Sequence, residues 1–164
     1  MLLIARTLKD ISFSGLMNVY RESNEENAAD FWPDETPGRR MALAEQDFYD
    51  YLSRTFFAVP GAFCALWEED GQYVSALRME PYQDGFLLEA LETDPDQRRK
   101  GYAKSLILAV LNTLDHGKVY SHVSKRNQAS LRTHETCGFQ KILDHAIYAD
   151  GSVLTSSVTM MIEI

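Results

Sequence analysis

The chain predicts a mixed α/β (α+β) fold: a mostly antiparallel sheet with one parallel crossover. Three observations lead there. Apolar spacing switches repeatedly between helical and strand periods over 164 residues, with no repeat, no low-complexity tract and no dividing linker. Asp70-Gly71 and Asp150-Gly151 each sit between strand-like runs and read as hairpin turns. From Phe86 to Ser124 the pattern is strand, helix, strand, a unit that needs two parallel neighbours in an otherwise antiparallel sheet.

Each element has its own warrant. Met1 to Thr7 reads as a first strand, and Ile11 to about Asn27 as one helix with Leu16, Val19 and Tyr20 inward. Prolines and a glycine make 31–38 a loop, and Arg40 to Phe57 is a second helix with Phe48, Tyr51, Leu52 and Thr55 as its buried stripe. Pro60-Gly61 stops it. Ala62 to Glu68 and Gln72 to Glu80 form a hairpin, and Phe86 to Glu92 is apolar enough for a strand buried on both faces. Ala103 to Asp115 is a helix stopped by Gly117, and Lys118 to Ser124 is a strand. Asn127 caps a short helix that Gly138 ends, and Phe139 to Tyr148 pairs with Val153 to Ile164.

Composition narrows the class. At 45% hydrophobic content the chain can bury one sizeable core. No apolar run approaches the roughly 20 residues of a membrane span, and Met1-Leu2-Leu3-Ile4-Ala5 is too short for a signal-peptide core. Cys64 and Cys137 lie in apolar surroundings and read as reduced thiols, neither disulfide nor metal ligands, which points to the cytoplasm. The net charge of −8 is uneven: residues 1–90 carry 7 Lys/Arg against 16 Asp/Glu, and residues 91–164 carry 9 against 8. That acidity argues against a nucleic-acid partner.

The segment Thr93 to Ala103 carries the most chemistry. A strand, a loop of small and basic residues and a helix start aim unpaired backbone N–H groups at an anion. Gly101 and Ala103 leave room for phosphate, while Arg98, Arg99 and Lys100 bring charge. The segment matches neither a Walker loop nor a Gly-x-Gly-x-x-Gly dinucleotide turn. Set as Arg98-x-x-Gly101-x-Ala103, it resembles the pyrophosphate-binding loop of the GNAT superfamily of acyl-CoA N-acyltransferases. Asn127-x-x-Ser130-Leu131-x-x-His134-x-x-x-Gly138-Phe139 is similar to a second segment of that family. The element order agrees over nearly the whole chain.

The resemblance implies a six- to seven-stranded sheet with helices on both faces, a single domain over residues 1–164, and acetyl-CoA as acyl donor without a metal. The implied donor-binding set is Leu91, Thr93, Arg98, Arg99, Lys100, Gly101, Tyr102, Ala103, Lys104, Asn127 and Ser130. Leu91 and Thr93 would act through backbone groups freed where two strands splay. Asn127 and Ser130 would hold the pantetheine arm, although a plain helix cap explains Asn127 equally well.

His134 stands where the family most often has a tyrosine acid, and a histidine can donate a proton near neutrality. A helix histidine bonded to backbone is the plain alternative. Attack on a thioester needs a neutral amine and therefore a base. Glu89, an acid inside Leu87-Leu88-Glu89-Ala90-Leu91, ranks first, with His122 next and Glu92 as a third option. Each also has a structural explanation: Glu89 pairing with Arg78, His122 on the strand surface, Glu92 facing solvent.

The expected activity is acetyl transfer to the primary amine of a small molecule or peptide by direct attack in a ternary complex. The competing reading is a non-catalytic acyl-CoA sensor. The acidic first half would favour a cationic amine. A homodimer is carried as an expectation from the family, since no surface pattern marks an interface.

Overall fold

A computed structural model describes residues 1–164 and shows one seven-stranded sheet with a small two-stranded ribbon. Chain order is β1 (Leu2–Ala5), α1 (Phe13–Val19), α2 (Arg21–Phe31), α3 (Pro37–Tyr51), β2 (Phe63–Glu69), β3 (Gln72–Tyr82), β4 (Gly85–Thr93), α4 (Tyr102–Leu111), β5 (Lys118–Ser124), α5 (Gln128–Thr136), β6 (Gln140–Leu143), β7 (Ala146–Ile147), β8 (Val153–Leu154) and β9 (Ser157–Glu163). The sheet runs β1-β2-β3-β4-β5-β9-β6, antiparallel throughout except for β4 beside β5. No helix is long and apolar enough to cross a membrane.

Two apolar layers sandwich the sheet. Leu106, Ile107, Val110 and Leu111 of α4 pack on Phe63, Ala65, Leu77, Met79, Leu88, Val119 and Val123. On the other face Leu16, Val19 and Tyr20, with Leu52 and Phe56 beyond α3, pack on Ala5, Cys64, Leu66 and Ala76. Alternation along the strands sends neighbouring residues to opposite layers. Gly85 opens the parallel pairing where a Cβ would lie 2.0 Å from the Lys118 carbonyl oxygen, so only glycine fits there.

Several elements differ from the sequence expectation. The single helix expected over 11–27 is two, broken at Tyr20 (φ −92°, ψ 9°). The ring of Tyr20 is buried and its hydroxyl donates to the Ala90 carbonyl at 2.7 Å, so a tertiary contact sets the bend. Helix α2 runs on to Phe31, into what reads as loop. Helix α3 begins at Pro37, ahead of Arg40, because the Thr36 hydroxyl accepts from the Arg39 N–H (3.3 Å) and proline suits a first turn. After Tyr51 the helix continues as a π turn, Leu52–Phe56. The buried residues of this stretch are Ala44, Leu52 and Phe56, whereas Tyr51 and Thr55 of the expected stripe are exposed. Helix α4 ends at Leu111, short of Asp115.

The last two strands pair as expected near their bases, with Gln140 opposite Met161. Their outer ends part into the separate β7–β8 ribbon, and β9 enters the sheet between β5 and β6.

Candidate active site

The parallel ladder between β4 and β5 ends at Leu88 opposite Ser121. Beyond that rung β4 takes one residue more than β3: Glu89 faces Arg78 and Glu92 faces Ala76. The bulge places Ala90 at φ 50°, a left-handed conformation uncommon for alanine, and Tyr20 holds its carbonyl. The sheet therefore opens, and Leu91, Glu92 and Thr93 line a cleft of about 730 Å³.

At one end of this cleft lies the basic loop. Asp94 caps a short turn, Pro95–Gln97, by accepting from the Asp96 N–H at 3.0 Å. Arg99 (φ 65°) and Gly101 (φ 82°) then curl the chain into α4. Gly101 is the N-cap and has no side chain to satisfy the first turn, and the first helical bond is Ser105 N–H to the Gly101 carbonyl, 3.0 Å. The N–H groups of Tyr102, Ala103 and Lys104 thus start an uncapped helix, and all three residues line the cleft. Arg98 and Arg99 line it too. Such an arrangement suits a pyrophosphate. Lys100 does not line the cleft; its ammonium donates to Gln97 Oε1 at 2.8 Å.

Helix α5 supplies the opposite wall through Asn127, Ala129, Ser130 and Thr133. Asn127 Oδ1 caps the helix by accepting from the Ser130 N–H at 3.0 Å. His134 turns the other way: it is 1% exposed and absent from the cleft lining. Its Nδ1 lies 2.8 Å from the Ser130 carbonyl and must donate to it, which leaves Nε2, 2.9 Å from Ser121 Oγ, to accept. Burial lowers its pKa, opposed by the Ser130 bond, so the ring is neutral near pH 7. Through these bonds His134 ties α5 to β5 at the last rung of the parallel ladder.

The base candidates separate in space. Glu89 and His122 follow the last paired rung on β4 and β5, on the sheet face opposite Leu88 and Ser121, one on each lip of the opening. Glu89 Oε1 accepts from Arg78 Nε at 3.1 Å. Arg78 is in turn fixed over the rings of Tyr51 (4.8 Å), Phe56 (5.5 Å) and Phe48 (5.9 Å). Glu80, on the same face, has its pKa raised by burial and by Glu89.

His122 stands edge-on between Tyr82 (5.6 Å) and Tyr148 (5.4 Å). Its Nε2 is the one buried side-chain nitrogen or oxygen without a hydrogen-bond partner, an omission that costs about 1–3 kcal/mol in general. Burial lowers its pKa below 6.5. Glu92 lies instead in the cleft beside the basic loop, where burial raises its pKa against the pull of Ser23 and Arg98.

Helix α2 provides a cleft wall that sequence reasoning missed. Glu22, Ser23 and Glu26 line it, and Glu22 pairs with Arg98 at 3.0 Å. Arg21 brackets the start of the basic loop, reaching Asp94 at 3.2 Å and Asp96 at 2.9 Å. The i, i+4 spacing of Glu22 and Glu26 was the available signal, but nothing local says what that face meets.

An opened parallel pair beside an uncapped, basic helix start forms a cleft suited to a ligand that carries a pyrophosphate. The chain belongs to the acetyltransferase (GNAT) family, whose sequence profile matches residues 19–139. Among curated protein sequences none matches. Several solved structures share the fold. The PaiA N-acetyltransferase from Thermoplasma acidophilum, in complex with coenzyme A, superposes with a TM-score of 0.65 at 14% identity, covering 100% of this chain and 99% of that one. The ribosomal-protein-S18-alanine N-acetyltransferase from Escherichia coli gives 0.63 at 16% identity, covering 100% and 94%. The spermidine N-acetyltransferase from Vibrio cholerae, in complex with CoA and spermine, gives 0.59 at 19% identity, covering 99% and 95%.

Proposed function

We propose that this protein transfers an acetyl group from acetyl-CoA to a primary amine by direct attack within a ternary complex. The observation that carries the proposal is the cleft itself, in which unsatisfied N–H groups of α4 and the opened edge of β4 face one another. The donor's pyrophosphate sits at Gly101 to Lys104 with Arg98 and Arg99. Its pantetheine arm runs between β4 and α5, past Asn127 and Ser130. Backbone N–H groups near Leu91 polarise the thioester carbonyl as negative charge develops on its oxygen.

Direct attack is favoured because neither cysteine is activated. Burial pushes Cys64 up to about 12 and also raises Cys137, which disfavours the thiolate in both. We assign His134 to positioning α5 and the final protonation of the CoA thiolate to water, since both ring nitrogens of His134 are engaged inside the protein.

For the acceptor, the acidic balance of residues 1–90 favours a cationic amine. Spermine in the Vibrio cholerae structure is consistent with that choice. The test is thiol release from acetyl-CoA with spermidine, an alanine-initiated peptide and neutral amines, with acetylated product confirmed by mass. Release matched by acetyl-amine is the expected result. Coenzyme A binding with no amine-dependent release would assign the protein to donor sensing instead.

A further inference from the structure

We infer that Tyr20 is a positioning residue for acetyl transfer: by holding the Ala90 carbonyl, it aims the Leu91 N–H at the thioester oxygen. This rests on the reaction proposed above. The peptide unit between Ala90 and Leu91 is trans, so its carbonyl and its N–H point in opposite directions. The Tyr20 hydroxyl donates to that carbonyl at 2.7 Å. Fixing the one group fixes the heading of the other, and Leu91 lines the cleft.

The bond holds a stretch of β4 that the sheet leaves unsupported. Ala90 stands at φ 50°, where a residue with a Cβ is uncommon. The parallel ladder has already ended at Leu88 opposite Ser121, so β5 offers Ala90 no rung. Pairing with β3 passes from Glu89 to Glu92, so neither Ala90 nor Leu91 has a partner residue on that side. Tyr20, at the junction of α1 and α2, supplies the missing restraint.

Its surroundings suit it to that task. The side chain is 3% exposed and its ring packs on Phe48, with centroids 5.0 Å apart. Burial pushes the phenol pKa up, so the hydroxyl keeps its proton and remains a donor. Further along β4, Ser75 Oγ donates to the Glu92 carbonyl at 2.7 Å. Hydroxyls thus hold the carbonyls on either side of Leu91, and the backbone there cannot turn over without breaking a hydrogen bond.

The residues after Tyr20 secure a different part of the cleft. Arg21 pairs with Asp94 and Asp96, and Glu22 with Arg98. The basic loop is therefore anchored without the Tyr20 hydroxyl. Removing that hydroxyl loosens the reacting end and leaves the pyrophosphate end in place.

Tyr20→Phe tests the inference, since it keeps the ring on Phe48 and removes only the donor. Spermidine and an alanine-initiated peptide serve as acceptors. With either, kcat falls by about 100-fold, the cost of a small misplacement at a reacting centre. CoA affinity by calorimetry stays within about two-fold, as expected for an interaction made only in the transition state. Tyr73→Phe is the structural control, because the Tyr73 hydroxyl accepts from the Ser12 N–H at the start of α1, 3.2 Å away. It should leave kcat within about two-fold. An unchanged kcat in Tyr20→Phe, or an equal fall in Tyr73→Phe, overturns the inference.

NMR of the Leu91 amide gives a reading that needs neither turnover nor a folded variant. In the wild-type protein acetyl-CoA shifts the amide proton further than CoA does, because only acetyl-CoA brings a thioester carbonyl. Tyr20→Phe abolishes that difference. Where neither amine is turned over yet the difference is present, the proposed activity is at fault and the aim of Leu91 stands. Equal shifts with CoA and acetyl-CoA in the wild type, or a difference that survives in Tyr20→Phe, sink the inference.

Discussion

The two sides of the splayed strand β4 are built on different principles. On the donor side the groups that matter are backbone N–H groups of one helix start, a glycine at φ 82° and arginines only a few residues away. On the other side the groups come from far apart in the chain. Arg78, Glu89, Tyr51, His122 and Tyr148 lie on β3, β4, the end of α3, β5 and the C-terminal ribbon. Local geometry suffices for a constant ligand such as a pyrophosphate. A variable acceptor is shaped by long-range contacts that can change without disturbing the loop.

If the two sides are independent, each can be broken alone. Ala103→Glu sets a carboxylate where the pyrophosphate docks and should weaken CoA binding by roughly 100-fold, about 2–3 kcal/mol, by calorimetry. Its unfolding midpoint should hold or rise, because an acid in a helix's first turn complements the dipole.

Arg78→Met should do the opposite: a loss of about 2–4 kcal/mol in denaturant unfolding, from a half-buried Glu89 left unpaired, with CoA affinity retained. A parallel fall in CoA binding would show that the two sides are coupled.

His134→Leu probes the joint between them. Losing its bonds to Ser121 and Ser130 should cost about 1–3 kcal/mol. A drop in kcat at constant fold, restored by tyrosine, would return His134 to the role of acid. The same residue carries a pH signature. Its folded pKa lies below the unfolded 6.5, as does that of His122, so the unfolded chain takes up protons first as pH falls. Stability is therefore full above pH 6.5 and is lost as pH drops toward the folded values. His134→Leu should flatten that slope in unfolding measured between pH 7.5 and 5.

The smallest effect belongs to Glu22→Gln. Releasing Arg98 from its exposed partner should tighten CoA by about two- to five-fold, in keeping with the weakness of surface ion pairs.

Legibility in the sequence followed the same division. The loop from Arg98 to Ala103 and the cap at Asn127 were readable because short-range geometry dictates them, although Lys100 turned out to serve Gln97 rather than the cleft. The break at Tyr20 was not readable, since Tyr20 bends the chain only by reaching Ala90, 70 residues away. Nor was the π turn after Tyr51. His134 matched a motif position, yet its direction depended on Ser121 across the sheet.

By itself, then, the sequence determined most of the element order, the parallel crossover and the uncapped, basic helix start, because turn chemistry and apolar period act over a few residues. Only the tertiary structure decided where β4 parts from β5, that Arg78 occupies Glu89, and that the His122 Nε2 is buried without a partner. Those outcomes depend on register and burial, which exist only once distant segments have packed.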